Sequence, residues 1–397
     1  MISVLEAHKI ISENSTPLSS ISVLTEDALG YVVAENIYSA VDLPLFDQAA
    51  MDGYGFIYND FENGIAISIQ DEIPAGVDSP AEIMSGFGVR IFTGAKIPNG
   101  VNTIVIQEEA KLVDNKLQIE NKNLSIRSNV RMMGSQIKKG DCAIPKGTKL
   151  TPPLIGFLAS MAISEVNVYK KPSVTVVVTG GELVAANEKR VEGKVYESNG
   201  ITLKTGLCSF GINDVTIFHT KDNEAELISI LKTASINSDM VLITGGISVG
   251  KYDFTYSALQ KLGVKQLFYK IKQKPGKPLF YGKIENTAIF ALPGNPAAVV
   301  TCFYNYVLPA LNKYLGNNNF TLKKLRLHSI SSYKKKSGLV HYLKASITND
   351  SKVEIHQGQE SNILSSYLNA DCMVFLPEEI EEVNIGDVVD VLLFPNF

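Results

Sequence analysis

Three stretches decide the fold: Ser173-Val-Thr-Val-Val-Val178 running into Thr179-Gly-Gly181, Asp239-Met-Val-Leu-Ile243 running into Thr244-Gly-Gly246, and Ala288-Ile-Phe-Ala-Leu292 running into Pro293-Gly-Asn-Pro296. Each is a nearly unbroken apolar run, without the alternation of a half-exposed strand. Runs of this kind are strands buried on both faces, as in a parallel sheet. Helix patterns lie between them. Leu227, Ile230, Leu231 and Ala234 recur at helical spacing, with Asp222 placed to cap that helix. The apolar stretch from Ala297 to Leu311 reads as another helix. This alternation predicts a doubly wound α/β domain over about Lys171 to Gly316. Ligands of such sheets sit at the carboxyl ends of the strands, and all three glycine- or proline-rich loops fall there.

The flanking segments read differently. Ser3-Val-Leu-Glu6 is a capping-box pattern that starts a helix. Leu5, His8, Lys9 and Ser12 follow with mixed polarity, so that helix is expected to be only part buried. From about Val41 to Arg131, short alternating runs such as Ala66-Ile-Ser-Ile69 and Thr103-Ile-Val-Ile106 are punctuated by glycine and proline, predicting a mainly β segment. Alternation returns after Phe320, in Leu325-Arg-Leu-His328, Val353-Glu-Ile355 and Val388-Val-Asp-Val-Leu392, predicting a small β barrel or sandwich.

Composition narrows the function classes. A chain of 397 residues with 45% apolar and 20% charged residues suits a multidomain globular protein. The net charge of -4 offers no global attraction to nucleic acid. Cys142, Cys208, Cys302 and Cys372 are dispersed, which argues against a disulfide framework or a zinc site and for isolated buried thiols. The first residues lack a secretory pattern, and no run approaches the length of a membrane span, so a cytoplasmic protein is expected.

The loops carry the chemistry. In Thr244-Gly-Gly-Ile-Ser-Val-Gly250 the glycines let backbone amides approach an anion, while Thr244 and Ser248 add hydroxyls. A phosphate cradle competes here with a plain tight turn. Gly245, Gly250 and Lys251 imitate a P-loop, but Tyr252 stands where Ser or Thr would hold magnesium. Asp222, Asp253 and Glu182 form an acidic rim, and carboxylates near phosphate call for a cation such as magnesium; for Asp222 an ordinary helix cap is the competing reading. Lys270-Ile-Lys-Gln-Lys-Pro-Gly-Lys-Pro278 carries four lysines on a backbone stiffened by Pro275 and Pro278. A stiff basic loop suits an oxyanion, and it lacks the aromatic platform of a nucleic-acid site. None of the five histidines has a metal-ligand spacing.

Taken in order, Pro44-Leu-Phe-Asp-Gln-Ala-Ala-Met-Asp-Gly-Tyr54, Thr93-Gly-Ala95, Thr179-Gly-Gly-Glu-Leu183, Thr244-Gly-Gly-Ile-Ser-Val-Gly250 with Asp253, Lys274-Pro-Gly-Lys-Pro278 and Leu292-Pro-Gly-Asn-Pro296 resemble the MoeA family of molybdopterin molybdenumtransferases, related to the E domains of gephyrin and its plant counterpart. The resemblance covers essentially the whole chain. It implies a homodimer of four-domain subunits: a split domain of residues 1–40 and 137–168, a β-rich domain 41–136, an α/β molybdopterin-binding domain 169–318 and a C-terminal β barrel 319–397. The implied reaction converts adenylated molybdopterin and molybdate to molybdenum cofactor and AMP, with magnesium.

By matching positions, the resemblance places Glu182, Asp222 and Asp253 around magnesium or the adenylate. Thr244, Gly245, Gly246, Ser248 and Gly250 would cradle the diphosphate. Lys274, Lys277 and Pro278 would bind molybdate, with Ser365 or Ser366 from the last domain and Lys270 as a further cation. Pro293 and Pro296 would shape the last loop, and Asp52 and Thr93 would act across the dimer. Gln136, Gly181, Ala298 and Lys344 depart from common family residues; Lys344 keeps the charge of an arginine without its two-pronged contact. Implied partners are the adenylyltransferase one step earlier and apo-molybdoenzymes or their chaperones. A gephyrin-like scaffold, an adenylyltransferase and a tungsten-inserting enzyme are the alternatives.

Overall fold

Val174–Thr179, Met240–Thr244 and Thr287–Leu292 are strands buried along their whole length in a computed structural model, which describes every residue except 78–81, 248–253, 318–320 and 396–397. Val174–Thr179 lies between Val215–Thr220 and Met240–Thr244, and Thr287–Leu292 extends the sheet beyond Met240–Thr244, all four in parallel. Phe280–Ile284 and Lys265–Tyr269 complete the six-stranded sheet. Phe280–Ile284 departs from the parallel pattern. It reaches Thr287–Leu292 through a two-residue link and pairs with it antiparallel, because a hairpin cannot return a chain in parallel.

The pleat sends alternate residues of each strand to opposite faces. Val176, Val178, Leu242 and Phe290 enter one core with Leu203 and Leu207 of helix Asn199–Ser209. Val177, Val241, Ile243 and Ile289 enter another with Leu227 and Leu231 of helix Glu224–Asn237 and with Ala258 and Leu259 of helix Phe254–Lys261. Helices therefore cover both faces, which is what a strand apolar at every position requires. The apolar stretch beyond Pro293 is helical from Pro296 to Tyr314, with a π-helical turn at Phe303–Val307.

One expected cap is corrected. Asn223, not Asp222, caps helix Glu224–Asn237, accepting hydrogen bonds from the amides of Ala225 and Glu226. Asp222 lies one residue further out and turns to the strand ends. The expectation of buried thiols also fails in part: Cys302 and Cys372 are buried, Cys142 is exposed and Cys208 is intermediate, all of them free.

The Ser3 capping box forms as read, and Val4, Ala7 and Ile11 of helix Val4–Asn14 join the first core of the α/β unit. Just before it, the Ile2 amide donates to Lys270 O at 3.1 Å and the Lys272 amide donates to Ile2 O at 2.9 Å. Ser20–Leu24 pairs with Glu165–Tyr169, and Val33, Leu43, Ile144, Leu150, Leu158 and Val168 share one core. Between these, Gly53–Phe56, Ser68–Ile73, Phe87–Ile91, Thr103–Ile106, Ala110–Val113 and Lys116–Ile119 form a second six-stranded sheet. In the last segment Val340–Ile347, Cys372–Leu376, Val388–Leu393 and Lys324–His328 pair in turn, and Val353–Ile355 joins Val340–Ile347 and bridges Ser329, bringing the ladder back to its start. Among the described residues no helix is long and apolar enough to cross a membrane.

Candidate active site

At the carboxyl ends of the central strands a cavity of about 480 Å³ opens, lined in part by Thr179, Glu182, Asn199, Asp222, Thr244 and Gly245. Gly246 and Gly294 complete its loops. Gly245 has φ +94°, and a Cβ there would stand 2.3 Å from Thr179 O. Only glycine fits, because the loop backbone passes directly over the end of the neighbouring strand. The two acids reach the cavity from separate loops. Asp222 follows Val215–Thr220, and its carboxylate accepts a long 3.4 Å hydrogen bond from the Gly181 amide. Glu182 follows Val174–Thr179. The structure thus brings together Glu182, Asp222, Thr244, Gly245 and Gly246. Ser248, Gly250 and Asp253 lie outside the described residues. Among the described residues, no group of three or more histidines, cysteines, aspartates or glutamates could hold a metal.

Sequence reading missed Asn199. Its side-chain amide donates to Thr244 Oγ1 at 3.0 Å and to Gly294 O at 2.8 Å, while Thr244 Oγ1 donates to Pro293 O at 3.3 Å. Asn199 therefore ties the second and third loops together from the start of helix Asn199–Ser209. Its one visible signal was Ser198-Asn199 directly ahead of a helical pattern.

The lysine loop lies where the α/β unit meets the last segment. Gln273–Lys274 adds in parallel to the edge of Val340–Ile347, so this loop belongs to the sheet of the last segment. The Lys274–Pro275 peptide is cis. Lys274 and Lys277 are exposed and Pro278 is half-buried. Lys274, Ser365 and Ser366 line a second, polar cavity of about 1180 Å³ together with His356 and Ser361. The Ser366 hydroxyl donates to Ile363 O at 2.6 Å, so it turns lone pairs rather than its proton to other partners. Lys270, half-buried with φ +66°, holds its ammonium 4.6 Å from the Tyr269 ring centre and lines neither cavity. Lys277 lines neither as well. The Pro293–Pro296 loop bridges the two regions: the Asn295 side-chain Nδ2 donates to Ser361 Oγ at 2.7 Å and, just beyond the loop, the backbone amide of Ala297 donates to Ser361 O at 3.0 Å.

A buried cation shapes the second cavity. Lys344 is 2% exposed, and its ammonium donates to Gly358 O at 2.8 Å and Glu360 O at 3.2 Å. Its charge therefore holds the 358–360 loop, which lines the cavity wall. Burial pushes the Lys344 pKa down, an effect that Glu360 opposes. His341, opposite Lys274 in register, is held down to about 4 by burial first, then by the charges of Lys274 and Lys335. Asp52 and Thr93 form their own unit in the β-rich segment. The Asp52 carboxylate accepts from the Thr93 hydroxyl and amide, both at 2.7 Å, which lowers its pKa. Neither residue lines either cavity.

Known proteins resemble this chain in sequence and fold. Residues 2–162 match the profile of the MoeA N-terminal region (domain I and II), 175–313 that of a probable molybdopterin binding domain, and 327–394 that of the MoeA C-terminal region (domain IV). A molybdopterin molybdenumtransferase of Haemophilus influenzae is 31% identical over 389 residues, covering 96% of each chain. One of Staphylococcus epidermidis is 30% identical, covering 99% of this chain and 95% of its own. A crystal structure of the molybdopterin biosynthesis MoeA protein from Pyrococcus horikoshii superposes with a TM-score of 0.86 at 28% identity, over 99% of this chain and all of that one. Full-length likeness in sequence and fold, with the conjunction of glycine loops, acids and lysine loop described above, means that this chain belongs to the MoeA family, the molybdopterin molybdenumtransferases.

Proposed function

We propose that this chain inserts molybdenum from molybdate into adenylated molybdopterin, with release of AMP, in the cytoplasm. The observation that carries the reading is the joining of two differently charged regions by one loop. Glu182, Asp222 and the Thr244–Gly246 turn line the cavity at the strand ends, and Lys274 lines the cavity beyond the Pro293–Pro296 loop. The dithiolene sulfurs arrive with the substrate, so no cysteine or histidine cluster is needed to receive the metal. The protein has to hold a diphosphate and an oxyanion, and it offers backbone amides at the glycine turn and ammonium groups on a stiff loop.

Glu182 and Asp222 fit magnesium. They are oxygen donors from separate loops around one cavity, and magnesium usually takes one or two protein carboxylates and shares its remaining positions with phosphate and water. Bound there, it would supply charge neutralisation for the diphosphate. The roles of this chain's own residues follow. Asn199 holds Thr244 and Gly294 in one geometry. The glycine turn lets the diphosphate approach the backbone. Lys274 and Lys277 attract and orient molybdate, aided by Ser365. Asp52 and Thr93 line neither cavity of their own chain, so we assign them to the site of a second copy in a homodimer.

Incubating the purified chain with adenylated molybdopterin tests the reading. AMP release should require both molybdate and a divalent cation, stop with excess EDTA and return with magnesium. Release independent of molybdate, or none at all, would refute it. Consumption of ATP with free molybdopterin would point instead to the adenylyltransferase step, and tungstate in place of molybdate would set the metal preference.

A further inference from the structure

Beneath the lysine loop sits a buried amide that the reaction above does not use. Gln273 is 0% exposed. Its Nε2 donates to Pro275 O at 3.1 Å and Gly276 O at 3.2 Å, and lies 3.7 Å from Cys302 Sγ. Its Oε1 accepts from the hydroxyl of Tyr306, also 0% exposed, in the π-helical turn Phe303–Val307. The Tyr306 hydroxyl pairs in turn with that of Tyr342, a buried residue of strand Val340–Ile347. One side chain thus links a helix of the α/β unit, the turn of the loop and a strand of the last segment.

The chemistry of the loop explains why such a link is useful. An oxyanion is repelled by carbonyl oxygens and attracted by ammonium groups. In a Lys-Pro-Gly-Lys-Pro turn the two must be sorted to opposite sides. Gln273 holds two successive carbonyls inward, while Lys274 and Lys277, the residues that flank them, point to solvent. The two carbonyls fix which end of the amide faces the loop, because a flipped amide would set its oxygen against both, and the Tyr306 hydroxyl, donating to Oε1, anchors the other end. Gly276 closes the seat. It has φ +88°, and a Cβ there would lie 2.5 Å from Cys302 Sγ and 2.8 Å from Gln273 Nε2. Buried amides with every bond made rigidify what they hold, and a partner removed leaves the others unpaired.

We propose that Gln273, anchored by Tyr306, is a positioning residue that presents the Lys274–Lys277 loop to molybdate. The inference rests on the oxyanion reading of that loop. Gln273→Met keeps the length of the side chain and removes its bonds. Tyr306→Phe keeps Gln273 and removes what anchors its oxygen. Lys274→Ala serves as the arm that reports on the oxyanion reading itself.

The readouts on the full chain are equilibrium dialysis with molybdate alone and steady-state AMP release at varied molybdate and varied adenylated molybdopterin. Gln273→Met should weaken molybdate binding and raise KM for molybdate about tenfold or more. Tyr306→Phe should raise it less, and in both variants kcat and KM for the pterin substrate should stay within about twofold. If Lys274→Ala weakens molybdate binding but folded Gln273→Met and Tyr306→Phe do not, the positioning role is wrong and the oxyanion reading stands. If Lys274→Ala also leaves molybdate binding unchanged, the reading of the loop falls and the inference with it. Should Gln273→Met fail to fold, Tyr306→Phe decides: an unchanged molybdate KM overturns the proposal. An equal rise in both KM values, or a loss confined to kcat, would mark a general structural role and overturn it as well.

Discussion

Gly245→Ala tests whether the glycine turn is held by geometry that only this residue allows. Two costs add. With φ +94° the residue is in a region where L side chains are strained, at about 1–2 kcal/mol. The new methyl would also stand 2.3 Å from Thr179 O and 2.7 Å from Thr179 Oγ1, closer than the 3.0 Å that real Cβ atoms respect. Thr179 ends a strand buried at every residue, so it cannot easily retreat. Overpacking of this kind adds about 1–3 kcal/mol. The sum is about 2–5 kcal/mol, which for a unit of this size lowers Tm by roughly 5–15 °C. Gly263→Ala separates the two costs. Gly263 has φ +79° but nothing within 4 Å of its Cβ position, so its variant should lose only about 1–2 kcal/mol. Scanning calorimetry of both variants, with AMP release measured well below Tm, is the assay. Gly245→Ala should melt several degrees below Gly263→Ala and lose activity even while folded, as the turn is pushed into the cavity. Equal melting temperatures, or a Gly245→Ala enzyme with full activity, would refute the argument from close approach.

Neighbouring residues at the strand ends should separate function from stability. Asn223→Ala removes a helix cap and should cost about 1 kcal/mol with AMP release unchanged, whereas Asp222→Asn should abolish most AMP release without moving the denaturant midpoint; the reverse pattern would restore Asp222 as the cap. His8 packs edge-on to Tyr306, and burial holds its pKa down at about 4. Between pH 6.5 and about 4 the unfolded chain therefore binds the extra proton, so stability is full above pH 6.5 and falls as the pH drops through that window, by about 3 kcal/mol in all. Urea unfolding across pH 4–7 should show a shallower fall in His8→Leu than in wild type, and parallel curves would contradict the assignment. Lys344→Met should remove both bonds to the 358–360 loop and expose it to limited proteolysis, at a cost of about 1–3 kcal/mol; unchanged cleavage there would show that the ammonium does not hold the loop.

Much of this architecture is written locally. Val174–Thr179, Met240–Thr244 and Thr287–Leu292 are apolar at successive positions, and that pattern alone demands cover on both faces and a loop at each strand end. The capping box at Ser3 and Glu6 is likewise local and forms as read. What the sequence could not decide are relations between distant segments. Asp222 and Asn223 are both good capping residues, and only the fold shows Asn223 on the helix and Asp222 at the cavity. The antiparallel strand Phe280–Ile284 depends on a two-residue link between runs that periodicity cannot orient. Asn199 and Gln273 carry no motif of their own, because their importance lies in loops that tertiary structure brings within hydrogen-bond reach. Lys344 shows the limit most plainly. Its charge is visible in the sequence, but which oxygens it meets depends on a loop more than ten residues away folding back over it. Strand pattern and loop composition follow from neighbours along the chain; the site follows from neighbours in space, and those exist only once the sheet has formed.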